Sequence, residues 1–150
     1  MADREWADAP PNVQRAIEAA WESGMPAVAS ALYSRWWQLE TWLRSLVYVE
    51  LRAERGAAWV DVISKLSGSR QQVEKKFGYM ATPDAANPLA YADVSALFDI
   101  IDDRWNLFEC SLLPKNVWYG RVVELLAIRN RIGHCRRPHA DDLGRLEQIL

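Results

Sequence analysis

At 150 residues, half of them apolar, the chain has the size of one domain with a core of its own. Its 18 basic and 20 acidic residues leave a net charge of −2, which excludes nucleic-acid binding by bulk positive charge. No run approaches the ~18 apolar residues of a membrane span, the first residues are acidic rather than apolar as in a signal peptide, and the two cysteines suit a reducing compartment. A cytoplasmic location without a membrane partner is therefore expected.

The punctuation predicts helices throughout. Pro10 and Pro11 open a short first helix ending near Gly24. Pro26 stands in the first turn of a long second helix reaching toward Gly56, with Val28, Leu32, Leu39, Leu43 and Leu46 along its inner face. Trp36, Trp37 and Trp42 crowd that helix at different angles, so at least one is expected at a partly exposed contact, in helix packing, a dimer surface or a base-stacking platform. Residues 57–66 read as a third helix, Ser67-Gly68-Ser69 as a turn and 71–77 as another brief helix. Residues 82–88 read as a loop suited to substrate contact. Asp93 caps a helix running through Leu97, Ile100, Ile101 and Trp105 to about Phe108. Pro114 starts the next helix, and Pro138 leads toward a last one. Its apolar pattern, Leu143, Leu146, Ile149 and Leu150, meets the end of the sequence without a stop signal, so this helix is expected to be cut short. There is no repeat and no second domain, and 1–150 reads as one all-α unit.

The residues with chemistry to offer gather near the C-terminus. Val122, Leu125, Ile128 and Ile132 fall at steps of three and four and make one apolar face of a helix that ends in Arg129-Asn130-Arg131-Ile132-Gly133-His134. A guanidinium can hold a phosphate by paired hydrogen bonds, and an imidazole titrating near neutrality can take or give a proton. At about 100° per residue, Asn130 and His134 lie about 40° apart, whereas Arg129 and His134 lie about 140° apart. Either Gly133 loosens the last turn so that His134 swings round, or a second copy of the helix completes the site and the chain is a homodimer.

Around this element Arg121, Arg129, Arg131, Arg136 and Arg137 stand against a single acid, Glu124, within residues 121–139. Such a patch can track a phosphate backbone. The opposing reading is a solvated turn whose arginines pair with Asp141, Asp142 and Glu147, and cations near a helix C-terminus are favourable in any case. His134, Cys135 and His139 are zinc-ligand types, but neighbouring positions on a helix point apart and no Cys-x-x-Cys pair accompanies them, so no metal site is expected.

The Arg-Asn-x-x-x-His element at 129–134, on the penultimate helix of a small helical chain, resembles the signature of the HEPN superfamily. The tract at 33–51 is similar to that family's long early helix, which often carries an acid facing the motif. Glu40 is the candidate, with Glu50 and Glu54 further along the segment. The resemblance spans most of residues 26–150. It implies an antiparallel helical bundle of HEPN type with extra short helices, and a homodimer in which two motifs meet in one cleft. It also implies a metal-independent endoribonuclease, without cofactor, of toxin or antiphage-defence type, held in check by an antitoxin or other regulatory protein. Carried over by position, Arg129 and His134 are the catalytic pair, Asn130 their polar support and Glu40 the supporting acid, while Arg131, Arg136 and Arg137 meet the RNA. Attack by the ribose 2′-OH would leave a 2′,3′-cyclic phosphate and restrict cleavage to RNA. The chain departs from one branch of the family, which has a tyrosine two residues after the histidine: Arg136 stands there, so control by modification of that tyrosine is not expected. The alternative within the same resemblance is a non-catalytic module that binds RNA or protein, or that dimerises.

Overall fold

In a computed structural model that describes residues 9–80 and 87–150, those residues form helices and connecting turns and contain no strand. The first helix, α1 (Pro11–Glu22), starts where the prolines predict, because Pro11 at the first helical position has no N–H to leave unpaired. None of its residues is fully buried. Gly24 then adopts φ 95, a left-handed conformation that suits glycine, and the chain reverses into α2 (Ala27–Arg55).

At 29 residues, α2 is about 43 Å long and organises the rest. Leu32, Trp36, Leu39, Leu43, Val47 and Leu51 recur at steps of three and four, and all are buried. Burying a side chain of this size stabilises the fold by about 1.5–3 kcal/mol before conformational entropy is counted. The predicted inner face is right at Leu32, Leu39 and Leu43. Val28 and Leu46 are only partly buried at its margins, and Trp36, Val47 and Leu51 complete the row. Of the three tryptophans, Trp36 is buried while Trp37 and Trp42 are exposed.

A 3₁₀ turn (Gly56–Trp59) leads into α3 (Val60–Lys75), which runs unbroken through the Ser-Gly-Ser sequence at 67–69 where a turn was expected. A glycine inside a helix costs about 1 kcal/mol; a break would instead create two new helix ends with unpaired backbone groups. The loop predicted over 82–88 lies outside the described residues as far as position 86. Asn87 then caps a 3₁₀ turn (Pro88–Tyr91), its side chain accepting from the Leu89 N–H at 3.0 Å.

Asp93 caps α4 (Val94–Asp103) as predicted, accepting from the Ala96 N–H at 2.9 Å. Asp93→Ala is expected to lower stability by about 1 kcal/mol, read as a fall in the urea midpoint with unchanged slope. The helix expected to continue to Phe108 breaks at Arg104 (φ −126, ψ 37) before a single turn, α5 (Trp105–Phe108). Asp102 and Asp103 occupy the last turn of α4, where the negative end of the helix dipole disfavours carboxylates. After Pro114 come α6 (Lys115–Gly133) and the short α7 (Asp142–Glu147), whose Leu146 is buried. Helices α4, α6 and α7 all pack against α2. No helix among the described residues is long and apolar enough to cross a membrane.

Candidate functional site at the end of α6

Trp118, Leu125 and Ile128 are buried and fix α6 on the core, with Val122 and Ile132 partly buried beside them. The other side of the helix faces solvent. Gly120, Val123, Ala127, Asn130 and His134 are exposed and, at about 100° per residue, fall within a sector of about 80°. Val123 is 70% exposed, so the stripe is apolar along its length and polar at its C-terminal end.

The helix ends in a tight reversal. His134 caps it at φ −108 and ψ 15, its N–H still bonded to the Asn130 carbonyl at 3.3 Å. Cys135 follows at φ 51, its N–H bonded to Ile132 O at 3.1 Å, and the Arg136 N–H bonds Arg131 O at 2.9 Å. This pair of backbone bonds is the Schellman arrangement, which usually has glycine at the left-handed position. Gly133 is still helical here, and the left-handed residue is Cys135, two positions later. Gly133 therefore does not loosen the last turn, and His134 is not swung toward Arg129. Cys135→Gly is expected to raise stability by about 0.5 kcal/mol, the relief of a left-handed non-glycine residue less the added freedom of the unfolded chain. A thermal midpoint unchanged or lowered would contradict that.

The arginines divide into two groups. Arg131 is committed to α7: its guanidinium forks onto both carboxylate oxygens of Asp142, with Nε to Oδ2 at 2.7 Å. Asp142 is buried and also accepts from the His139 N–H at 2.9 Å. Burial pushes its carboxyl up, but the Arg131 hydrogen bond, the His139 N–H and the neighbouring positive charge outweigh this and hold it below the ordinary aspartate value. The same pairing raises Arg131, against a smaller opposing effect of its own burial. Arg121 pairs with Glu124 at 2.9 Å, and Glu124 also receives Arg145 from α7 at 3.1 Å. Of the predicted acid partners only Asp142 meets an arginine of the cluster, Arg131; Asp141 lies 3.9 Å from Arg145 of α7, and Glu147 meets Arg35 of α2 at 3.4 Å. Arg129, Arg136 and Arg137 have no carboxylate partner among the described residues; Arg129 donates to the Asn130 side-chain oxygen at 3.3 Å.

Glu40 lies elsewhere. Its carboxylate receives the Trp36 indole N–H at 2.8 Å and pairs with Arg44, which also donates to the Leu89 carbonyl at 3.1 Å. Glu40 and Arg44 thereby staple the Pro88–Tyr91 turn to α2 and line a cleft of about 570 Å³ with Glu74 and Tyr91, whose hydroxyl bonds Glu74. No hydrogen bond or ion pair among the described residues joins Glu40 to Arg129, Asn130 or His134.

A second cleft, of about 820 Å³, opens beside the α6 terminus. Its walls are α1, the start of α2 and the reversal at 135–138, and it exposes Trp21 and Tyr33 opposite Arg136 and Arg137. The sequence reading missed both aromatic residues. Tyr33 sits next to the buried Leu32 and so off the inner row, a signal that was available; the approach of α1 to the α6 terminus was not. Among the described residues no three His, Cys, Asp or Glu side chains are grouped to hold a metal ion.

No protein-family model, curated protein or solved structure matches the chain.

Proposed function

We propose that this chain is an endoribonuclease of HEPN type, acting without a metal at a site composed from two copies of the chain, in a toxin or defence setting. The observation that carries the reading is the state of the motif: Arg129 donates to Asn130, Asn130 and His134 are exposed in the last turn of a firmly anchored helix, and none of the three is tied to a carboxylate among the described residues. A purely structural arginine of the same helix looks different, as Arg131 does in its fork to Asp142. In this reading Arg129 holds the scissile phosphate and stabilises the charge that builds on it. His134 exchanges protons with the 2′-OH and the leaving 5′-oxygen. Asn130 orients Arg129 through the contact already present.

Because α6 stays helical through Gly133, one copy leaves Arg129 and His134 about 140° apart on the helix. The exposed stripe of Gly120, Val123 and Ala127 runs straight into Asn130 and His134, and pairing it with the same stripe of a second copy would bury it and bring two motifs together. Arg136 and Arg137 supply the phosphate contacts beyond the reacting centre, a role from which Arg131 is withdrawn by Asp142.

The test is cleavage of a mixed-sequence RNA in EDTA by the wild type and by Arg129→Ala and His134→Ala proteins purified identically. Cleavage that persists in EDTA and vanishes in both variants supports the assignment. Equal cleavage by all three, or none by the wild type, transfers the motif to a binding or dimerisation role. A chain that stays monomeric at micromolar concentration would exclude the composite site.

A further inference from the structure

The cleft between α1, the start of α2 and the α6 reversal has a composition that the motif chemistry does not use. Most of its lining is apolar, including Met25, Ile132 and Pro138, with Ser23, Ser30 and Ser34 among the polar residues and the exposed Tyr33 on one side. Its rim carries Arg136 and Arg137, both exposed and both without a carboxylate partner among the described residues. An apolar slot with a planar ring and two uncommitted guanidinium groups suits a ligand that is flat and apolar at one end and anionic at the other. At about 820 Å³ it is roomy enough for a whole nucleotide. Cys135 sets the direction: its left-handed backbone turns the chain so that Arg136 and Arg137 face the cleft, while His134, the residue before it, remains on the exposed side of α6.

We infer that this cleft takes one unpaired nucleobase of an RNA strand, stacked on Tyr33, with the adjoining phosphates on Arg136 and Arg137. The inference rests on the ribonuclease reading for the identity of the strand, and it adds how that strand is chosen. A base must leave its stack to enter the slot, so single-stranded segments are bound and continuous duplex is not. The phosphates would be held two and three residues beyond His134 in the chain, which fixes the register of the strand across the motif.

The experiment uses the full chain carrying His134→Ala, so that RNA is bound and not consumed, and a short single-stranded RNA containing 2-aminopurine, compared with its duplex. The single strand is expected to bind more tightly than the duplex and to lose fluorescence as the base stacks. Adding Tyr33→Ala should weaken single-strand binding about tenfold and restore the fluorescence. Because Tyr33 is 62% exposed on a long helix, alanine there leaves the fold intact, which circular dichroism checks. Arg136→Ala with Arg137→Ala should reduce the slope of log K against log salt by about 1.4. Tyr33→Ala without effect on affinity or fluorescence, or equal binding of single strand and duplex, overturns the cleft assignment. The two readings fail separately. Cleavage that depends on Arg129 and His134 with no response to Tyr33→Ala removes the cleft and keeps the nuclease. Tyr33-dependent single-strand binding by a chain that never cleaves does the reverse.

Discussion

Arg131→Met is expected to remove about 4 kcal/mol of folding stability, a fall in thermal midpoint of roughly 8–16 °C for a chain of this length. The size follows from what the substitution leaves behind. Asp142 is 1% exposed, and without the guanidinium its carboxylate keeps, among the described residues, only the His139 N–H as a hydrogen-bond donor. Asp142→Asn should be milder, about 2 kcal/mol, because Arg131 retains 30% side-chain exposure and can be hydrated, and the neutral amide can still accept from His139. Combining the two changes should recover part of the Arg131→Met loss, since the buried site is then uncharged.

The pair also has a pH signature. In the fold the Asp142 carboxyl lies below its ordinary value, so its contribution is fully present above the unfolded pKa near ~3.9 and is lost as pH falls through the lower folded value. The gap in urea midpoint between wild type and Arg131→Met should therefore be widest near neutrality and shrink in acid. A gap that is constant with pH, or a variant that loses RNA affinity while keeping its stability, would return Arg131 to the RNA-contacting group.

His134→Ala is expected to lower the rate of RNA cleavage by about 10³-fold, within the range for loss of a positioned acid or base. His134 is exposed, so the stability of the fold should hardly change, and the loss would be one of chemistry. The same should apply to Arg129→Ala. Mixing the two dead proteins provides the sharper test. If each centre takes Arg129 from one copy and His134 from the other, half of the randomly assorted dimers have one intact centre of two, and activity returns to about a quarter of wild type. No recovery would mean that each copy works alone with its own Arg129 and His134. The local geometry of α6 argues against that, because Gly133 stays in the helix.

What the sequence discloses and what it hides divide along physical lines. Periodicity and punctuation are local, so the prolines, Asp93 and the inner leucines of α2 were legible. The turn expected at 67–69 was a propensity argument, and glycine propensity is weak beside the cost of new helix ends. At the end of α6 the first of the two expected options fails for a related reason. Gly133 looks like the natural left-handed residue, yet the backbone bonds that close the helix put that conformation on Cys135. Which arginines are free was not legible at all. Arg131 and Arg129 are alike in the sequence, and only the return of α7 against the end of α6 separates them. Glu40 shows the same gap: a position on the long helix is readable, but its partner Arg44 and the turn they hold are tertiary facts.

The lack of any buried residue in α1 has a kinetic consequence. Amides in the middle of α2, whose Leu39, Leu43, Val47 and Leu51 are wholly buried, can exchange with deuterium only when the entire domain opens. Those of α1, most of whose residues are exposed, should exchange through a much smaller opening, orders of magnitude sooner. Since α1 is one wall of the cleft, while the start of α2 and the reversal at 135–138 are the others, the aperture can widen on its α1 side while the walls beside the motif stay in place.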